Sequence, residues 1–496
     1  MRIFIYIFVL LVTFSLYGQE SMQEGFELLE SGSYAEAELF FSDYLSPENK
    51  TGRICHARAI GLGGQPLTAL ESFRQLVIDF PEDVEVLLNV AEAYMWNKQP
   101  KQAIPIYAEL LEANPQLFVA NFGYANAHAA LHENEVAIQY MEKALSIEPY
   151  NEAALHSNKY IMIARAYELY KNGQYEQADV HLTKVLEQDP ENQQAIDLAH
   201  RIDEESKSFL KLSYTEGKDQ GGHAVTLKEL HFDFKVTGRH KLSLDAGLRD
   251  NVMQIENTEA QQQVLMLSDE MILSKKHRLD AGIGVSSSEV AGLTTERLLF
   301  KGAVESFWSD RLYTKLGYNG ELHNYSVDLV QSDIMIQNYS LATNYMLTNR
   351  IGWYLNGVYT TQSDANTRRL VYSSLYYSFN TKHIFRVGVN YNYFGFEETR
   401  TNYFSPEFYQ QGEFFLLMDN MNNASRVKFK FQVSFGAQQI NKSEFQAVRR
   451  LDARLGYHFK KGLQIEGRYH TNSAASATAV GAFSYNQWTL ALGYKF

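Results

Sequence analysis

The chain of 496 residues holds one cysteine, Cys55. A lone thiol can close no internal disulfide and begin no cysteine-based zinc cluster, so Cys55 is expected to be a small buried apolar residue. Beyond the N-terminus no apolar run approaches 18 residues, and mean hydropathy is -0.31. Together these exclude a helical multi-pass membrane protein. Basic charge is also short: 45 Lys and Arg stand against 58 Asp and Glu, a net charge of -13 that argues against a nucleic-acid binder. Absent too are His-Glu-x-x-His, a phosphate loop, Gly-x-Ser-x-Gly and a dinucleotide fingerprint, so no cofactor and no enzymatic activity are expected. Aromatics at 13% make disorder equally unsuited.

What is present begins with an address. Arg2 precedes an uncharged apolar stretch from Ile3 to Tyr17 and the small residue Gly18. This is the pattern of a secretory signal peptide over residues 1–19, too short for a comfortable membrane span. The mature chain is therefore expected to be exported, and with no cysteine after the apolar stretch a lipoprotein anchor is not expected.

Residues 20–206 repeat every 34. Pro81, Pro115 and Pro149 keep that spacing, with Ala69, Ala103 and Ala137 before them and Ala57, Ala91 and Ala125 on the preceding helices. Small residues let paired antiparallel helices approach closely, Phe73, Tyr107 and Met141 fill the space one turn later, and proline stops the second helix. Gly32, Tyr34 and Ala37 open the series, and Gly173, Tyr175 and Ala178 close it. These residues resemble the tetratricopeptide-repeat family, with about five units; Pro66, Pro100 and Asn134 depart from its tyrosine position. The resemblance implies a solenoid with a concave groove that docks proteins. Asn89, Glu92 and Trp96 from one unit, Asn126 from the next, and Tyr167 and Tyr170 from the last are expected there. Tyr167 and Tyr170 could equally cover the joint with the following domain.

From residue 207 to 496 the period becomes two, and only Pro406 of the nine prolines falls there. Val427, Phe429, Phe431, Val433 and Phe435 alternate with Lys428, Lys430, Gln432 and Ser434. Segments of about 9 to 13 such residues are long enough to cross a hydrocarbon layer when tilted, and a closed barrel is the β solution that leaves no backbone group unpaired there. The expected architecture is an α-helical tetratricopeptide solenoid followed by an antiparallel transmembrane β-barrel of about sixteen strands. Twelve or fourteen remain open, because 403–418 reads as either a strand or a loop. Trp488, Leu490, Leu492, Tyr494 and Phe496 alternate to an aromatic carboxy-terminus. That ending resembles the signature that outer-membrane barrels present to their assembly machinery, and it marks Phe496 as an insertion signal.

The polar side of the strands would place Lys235, Lys241, Arg249, Arg386, Arg426, Lys428 and Lys430 in the lumen. They could conduct a hydrated, polar or anionic polymer, or form the salt-bridged interior of any barrel. Two weaker candidates are His128 with His132, four apart on a helix as a metal pair would be, and His470 with Ser473, which would suit a barrel lipase. A third metal ligand is not evident, and 473–478 reads better as a small-residue loop.

Repeats followed by a barrel are similar to exopolysaccharide-export porins of Gram-negative envelopes and to YaiO-type outer-membrane barrels. The resemblance implies an outer-membrane location with the repeats in the periplasm, periplasmic protein partners, and export or assembly of a surface polysaccharide. The alternative is a non-conducting anchor. Charge divides at the same border: residues 20–206 carry 31 acidic and 12 basic side chains, residues 207–496 carry 27 and 32. The helical arm, at -19, should prefer basic partners.

Overall fold

In the computed structural model, the described residues are 22–324, 326–380, 384–421, 425–441, 443–473 and 484–496. The leader read at residues 1–19 lies outside them. Two units emerge, one helical and one of strands, dividing near residue 201.

The helical unit contains α1 (Gln23–Ser31), α2 (Tyr34–Phe41), α3 (Lys50–Leu62), α4 (Pro66–Asp79), α5 (Val84–Trp96), α6 (Pro100–Ala113), α7 (Phe118–Ala130), α8 (Asn134–Ile147), α9 (Glu152–Lys171) and α10 (Tyr175–Gln188), with α11 (Gln193–Ser206) following. The six alanines that carry the 34-residue spacing are all fully buried. Pro66 and Pro100 stand at the first position of α4 and α6, where a proline's missing N–H goes unused by the helix. Departing from the repeat's tyrosine there costs the fold little. Tyr107 fills the gap beside Gly123, where an added Cβ would collide with its ring, so only glycine lets α6 and α7 close on each other.

The second unit has sixteen strands: β1 (Phe209–Asp219), β2 (His223–Lys235), β3 (His240–Met253), β4 (Thr258–Ser274), β5 (His277–Val290), β6 (Leu293–Ser309), β7 (Leu312–Leu322), β8 (Met335–Met346), β9 (Ile351–Gln362), β10 (Thr367–Ser378), β11 (Phe385–Phe396), β12 (Tyr409–Asp419), β13 (Val427–Ile440), β14 (Gln446–His458), β15 (Leu463–Asn472) and β16 (Tyr485–Lys495). Each pairs antiparallel with its neighbour, and β1 pairs with β16 to close the barrel. The sequence left 403–418 open between strand and loop; β12 begins at Tyr409, and 397–408 is a connection.

The distribution of side chains is inverted relative to a water-soluble domain. Along β13, Val427, Phe431 and Phe435 are 46%, 46% and 56% exposed, while alternate Lys428 and Ser434 are buried. An apolar outer face and a polar inner one suit a hydrocarbon surround. Outward Tyr345, Trp353, Tyr377, Tyr457 and Tyr494 lie toward the end that carries the barrel's two chain termini. Tyr339, Tyr359, Tyr391, Tyr469 and Trp488 lie toward the opposite end. Two aromatic bands with an aliphatic zone between them are what two membrane interfaces select.

Candidate functional site

Three regions bear on function: the helical groove, the barrel lumen and the end of the barrel opposite its termini.

In the groove, Arg58 of α3 organises the residues of α5. Its Nη1 donates to Asn89 Oδ1 and Glu92 Oε2, each at 2.7 Å, and its guanidinium lies 5.8 Å from the Trp96 ring centroid. Burial works to lower the Arg58 pKa, but the Glu92 carboxylate outweighs it and the guanidinium is held above its ordinary value. Asn89 is buried, and Trp96 also packs on Phe73, with centroids 6.3 Å apart. These three side chains therefore fasten α5 to α3 and α4 instead of standing free for a partner. Asn126 is half-buried on α7. Tyr167 is exposed, while Tyr170 is buried and stacked on Tyr175 at 5.7 Å. Cys55 is buried, and burial pushes its thiol up to about 12.

His128 and His132 do not form a pair. His128 Nδ1 lies 2.5 Å from Glu133 Oε2, and His132 sits in the turn after α7 with φ +61°. Among the described residues no group of three or more His, Cys, Asp or Glu side chains is placed to hold a metal. His470 Nδ1 is 3.2 Å from Asp452 Oδ2, an oxygen that Arg468 also engages. Ser473 is held elsewhere: its hydroxyl accepts from Arg449 N at 2.8 Å.

The lumenal cations are largely matched inside the barrel. Lys241 pairs with Glu270 at 2.8 Å and Arg386 with Asp419 at 3.1 Å. Arg249 Nη1 donates to Asn324 O at 3.4 Å, and Lys428 Nζ to Met421 O at 3.1 Å. Lys235 and Lys430 face inward by register, opposite Lys241 and Arg454. Arg426 departs from the expectation. It precedes β13 and is exposed in the turn, because the strand that would carry it inward starts one residue later. Further pairs, Lys315 with Glu305 at 3.0 Å and Arg454 with Glu466 at 2.5 Å, extend the pattern.

Across the end opposite the termini, the β7–β8 connection turns into the barrel and forms a short helix, α12 (Val327–Ser332), capped by Ser326. Val327 and Val330 pack on Ala260 of β4 beside Val290 of β5. Leu329 and Ile334 pack on Phe394 and Phe396 of β11, Tyr409 of β12, and Tyr403 of the 397–408 connection. The two walls are six strands apart around the closed barrel, so a helix touching both crosses the lumen. Polar ties lock it. Tyr403 Oη donates to Gln362 Oε1 at 2.6 Å, Asn366 Nδ2 to Tyr403 Oη at 2.8 Å, and Asn402 Nδ2 to Ser332 Oγ at 3.2 Å. His323, at the root of this cork, is held neutral: burial and then the Arg368 charge lower its pKa to about 4.

A different surface lines the inside of β7 to β12. Register sets Tyr313, Asn344, Tyr354, Ser374, Asn390 and Glu413 side by side across successive strands. The next row toward the cork is Asn356, Tyr372, Asn392 and Gln411. Two members are charged: Glu413, which Arg450 of β14 engages, and Lys315, which ends the second row on β7 and pairs with Glu305. Asn390 is 5% exposed, yet neither its Oδ1 nor its Nδ2 has a hydrogen-bond partner. Leaving such a group unsatisfied costs about 1–3 kcal/mol. Sequence reading passes over this wall, because Tyr, Asn and Ser carry no motif; only the strand register assembles them.

Two tetratricopeptide-repeat family models match the chain, one over residues 63–131 and the other over 119–151. The helical unit is an array of tetratricopeptide repeats. Such repeats generally mediate protein–protein interaction. No curated protein matches the chain. Among solved structures, a bacterial polysaccharide outer membrane secretin is 10% identical, with 59% of this chain and 99% of that chain covered at a TM-score of 0.47. The MamA AMB-1 structure is 21% identical, covering 34% of this chain and 98% of that one at a TM-score of 0.29. A thermophilic tetratricopeptide-repeat protein in Thermus thermophilus, TTC0263, is 23% identical over 37% of this chain and 96% of its own, at a TM-score of 0.28. At these values the likenesses carry no argument about function.

Proposed function

We propose that this protein is an outer-membrane barrel, closed at rest by its own connections, whose tetratricopeptide arm docks proteins in the periplasm. The observation that carries the closed state is α12, which crosses the lumen between β4–β5 and β11–β12 with Leu329 and Val330 buried. In this reading the protein performs no catalysis. Its arm, at a net charge of -19 over residues 20–206, favours partners with basic surfaces. With Asn89, Glu92 and Trp96 spent on holding α5, the docking contacts fall to Asn126 and Tyr167. Recording current from the purified full chain in a planar bilayer tests the closure: a quiet bilayer is expected, and steady open steps from the unmodified protein would overturn it.

Export or assembly of a surface polysaccharide is the second reading. The rows of tyrosines and amides across β7–β12 favour it, since they line the lumen with rings and hydrogen-bonding groups and with few charges. Export requires the cork to move. Loss of a surface glycan when the protein is deleted, restored by the full chain, would support this reading over the simple anchor.

A further inference from the structure

We propose that a cavity on the barrel rim, between the β6–β7 and β8–β9 turns, seats the headgroup of an anionic phospholipid from the inner leaflet of the outer membrane. The inference rests on the outer-membrane reading but goes beyond it, since a docking arm and a closed lumen require no particular lipid. The cavity measures about 460 Å³ and is lined by Arg311, Thr348, Asn349, Arg350 and Tyr377, with Leu347 and Ile351 beside them. Local geometry builds it. Met346 N donates to Arg311 O at 2.8 Å, which extends the β7–β8 pairing by one residue and sets Arg311 beside the tight 347–350 turn. Within that turn Thr348 Oγ1 accepts from Arg350 N at 3.2 Å and from Ile351 N at 3.0 Å.

The two guanidiniums have no carboxylate partner. Arg350 Nη1 donates to the Tyr377 hydroxyl at 3.3 Å, and among the described residues neither arginine forms an ion pair. Inside the barrel the opposite holds, for Arg386, Arg450, Arg454 and Arg468 each meet an acid. Two guanidinium forks on one cavity suit a phosphodiester, whose oxygens accept from such forks in pairs. The level is that of a membrane interface. Tyr377 belongs to the aromatic band at the end carrying the termini, Trp353 of the same band follows Ile351 by two residues, and Leu347 is exposed. A headgroup held there lays its acyl chains against the outer face of β8–β10, where Leu341 and Leu375 point outward.

Charge around the rim points the same way. The other turns at this end carry Lys275 and Lys276 between β4 and β5, Arg426 before β13, and Lys460 and Lys461 between β14 and β15, all exposed. Asp310 is the sole acid among the described residues of these turns. At the opposite end the balance reverses: Arg400 is the sole Lys or Arg among the described residues of the connections, against Glu256, Asp328, Asp364, Glu398 and Glu407. Basic side chains at a bilayer surface gather anionic lipid. The rim thus enriches such headgroups, and the cavity between Arg311 and Arg350 is where one is held.

The purified full chain in detergent is titrated with phosphatidylglycerol, and with phosphatidylcholine as the zwitterionic control, while native mass spectrometry counts the lipid retained. Phosphatidylglycerol is expected to bind first, as a single molecule per barrel. Arg311→Gln and Arg350→Gln should each weaken it about fivefold, and the double variant about thirtyfold, the loss expected of basic groups beside an anionic headgroup. Lys460→Gln combined with Lys461→Gln removes the same charge six strands from β8 and should change binding by less than about twofold. Insertion into phosphatidylcholine vesicles, read by heat-modifiable migration, verifies that each variant folds and tests the membrane reading by itself. A barrel that inserts but holds both lipids equally, or loses nothing in the double arginine variant, overturns the lipid site and leaves the outer-membrane reading standing; a chain that does not insert overturns both. Displacement of phosphatidylglycerol by a decaglutamate peptide would also overturn the proposal, in favour of an acidic protein at the rim.

Discussion

Ser208 and Phe496 exchange both backbone hydrogen bonds: Ser208 N donates to Phe496 O at 2.9 Å, and Phe496 N to Ser208 O at 3.0 Å. The last residue of the chain therefore supplies the final rung of the seam between β1 and β16. Its ring stacks on Tyr494 at 5.7 Å and on Phe232 at 6.3 Å, sealing the seam from the lipid side. Deleting Phe496 should remove the rung and the ring contact together, whereas Phe496→Ala removes only the ring. Both are expected to reduce the folded, heat-modifiable band in membrane extracts, deletion more than alanine. Equal yields of all three proteins would show that closure does not depend on this residue.

The cork gives a prediction for current. Leu329 is almost fully buried between α12 and the β11–β12 wall, so Leu329→Asp places a carboxylate in that apolar core at a cost of about 3 kcal/mol or more. The variant should show open steps in a planar bilayer where the unmodified chain is quiet. Tyr403→Phe, which removes the hydroxyl joining Gln362, Asn366 and Asp364, should open less often than Leu329→Asp.

Acid should loosen the same cork. The His323 pKa is lowered to about 4 by burial and the nearby Arg368, from an ordinary value of 6.5. The unfolded connection then binds more protons than the folded one between those values, so stability falls as pH drops through that window and has fallen fully below pH 4. Limited proteolysis within 323–334 should rise between pH 6.5 and 4, and His323→Gln should flatten the profile in that range.

The helical unit offers a stability prediction. Replacing Arg58 with Met keeps much of the packing but leaves Asn89 and Glu92 without their shared donor. The expected loss is about 2 kcal/mol, seen as a drop of roughly 5 °C in the thermal transition of the helical circular-dichroism signal. Glu92→Gln, which keeps an acceptor for Arg58, should cost less.

Most of this architecture was legible because both units are periodic. Alanines at a fixed spacing announced the helix pairs, and alternation over Val427–Phe435 announced a strand that the structure places at Val427–Ile440. The exceptions share one cause. Tyr403, Phe404 and Phe408 look like the start of a strand because they are apolar, but Tyr403 and Phe404 pack on the cork. Helix α12 has only six residues, too few for a helical period to show. For the lumen, the sequence drew attention to charged side chains, most of which the barrel spends on itself. The Asn390 row was invisible because its members lie on separate strands far apart in sequence and meet only through register. In the groove, repeat spacing placed Asn89, Glu92 and Trp96 on the expected helix, but it could not show that Arg58, one repeat earlier, already held them.

Cys55 has a practical consequence. With that thiol buried and pushed up to about 12, the native protein should be nearly inert to maleimide at neutral pH. Every cysteine introduced at an exposed position becomes the one site where a dye or spin label attaches, with no background to subtract. Labels on the 397–408 connection would report cork movement in the folded barrel.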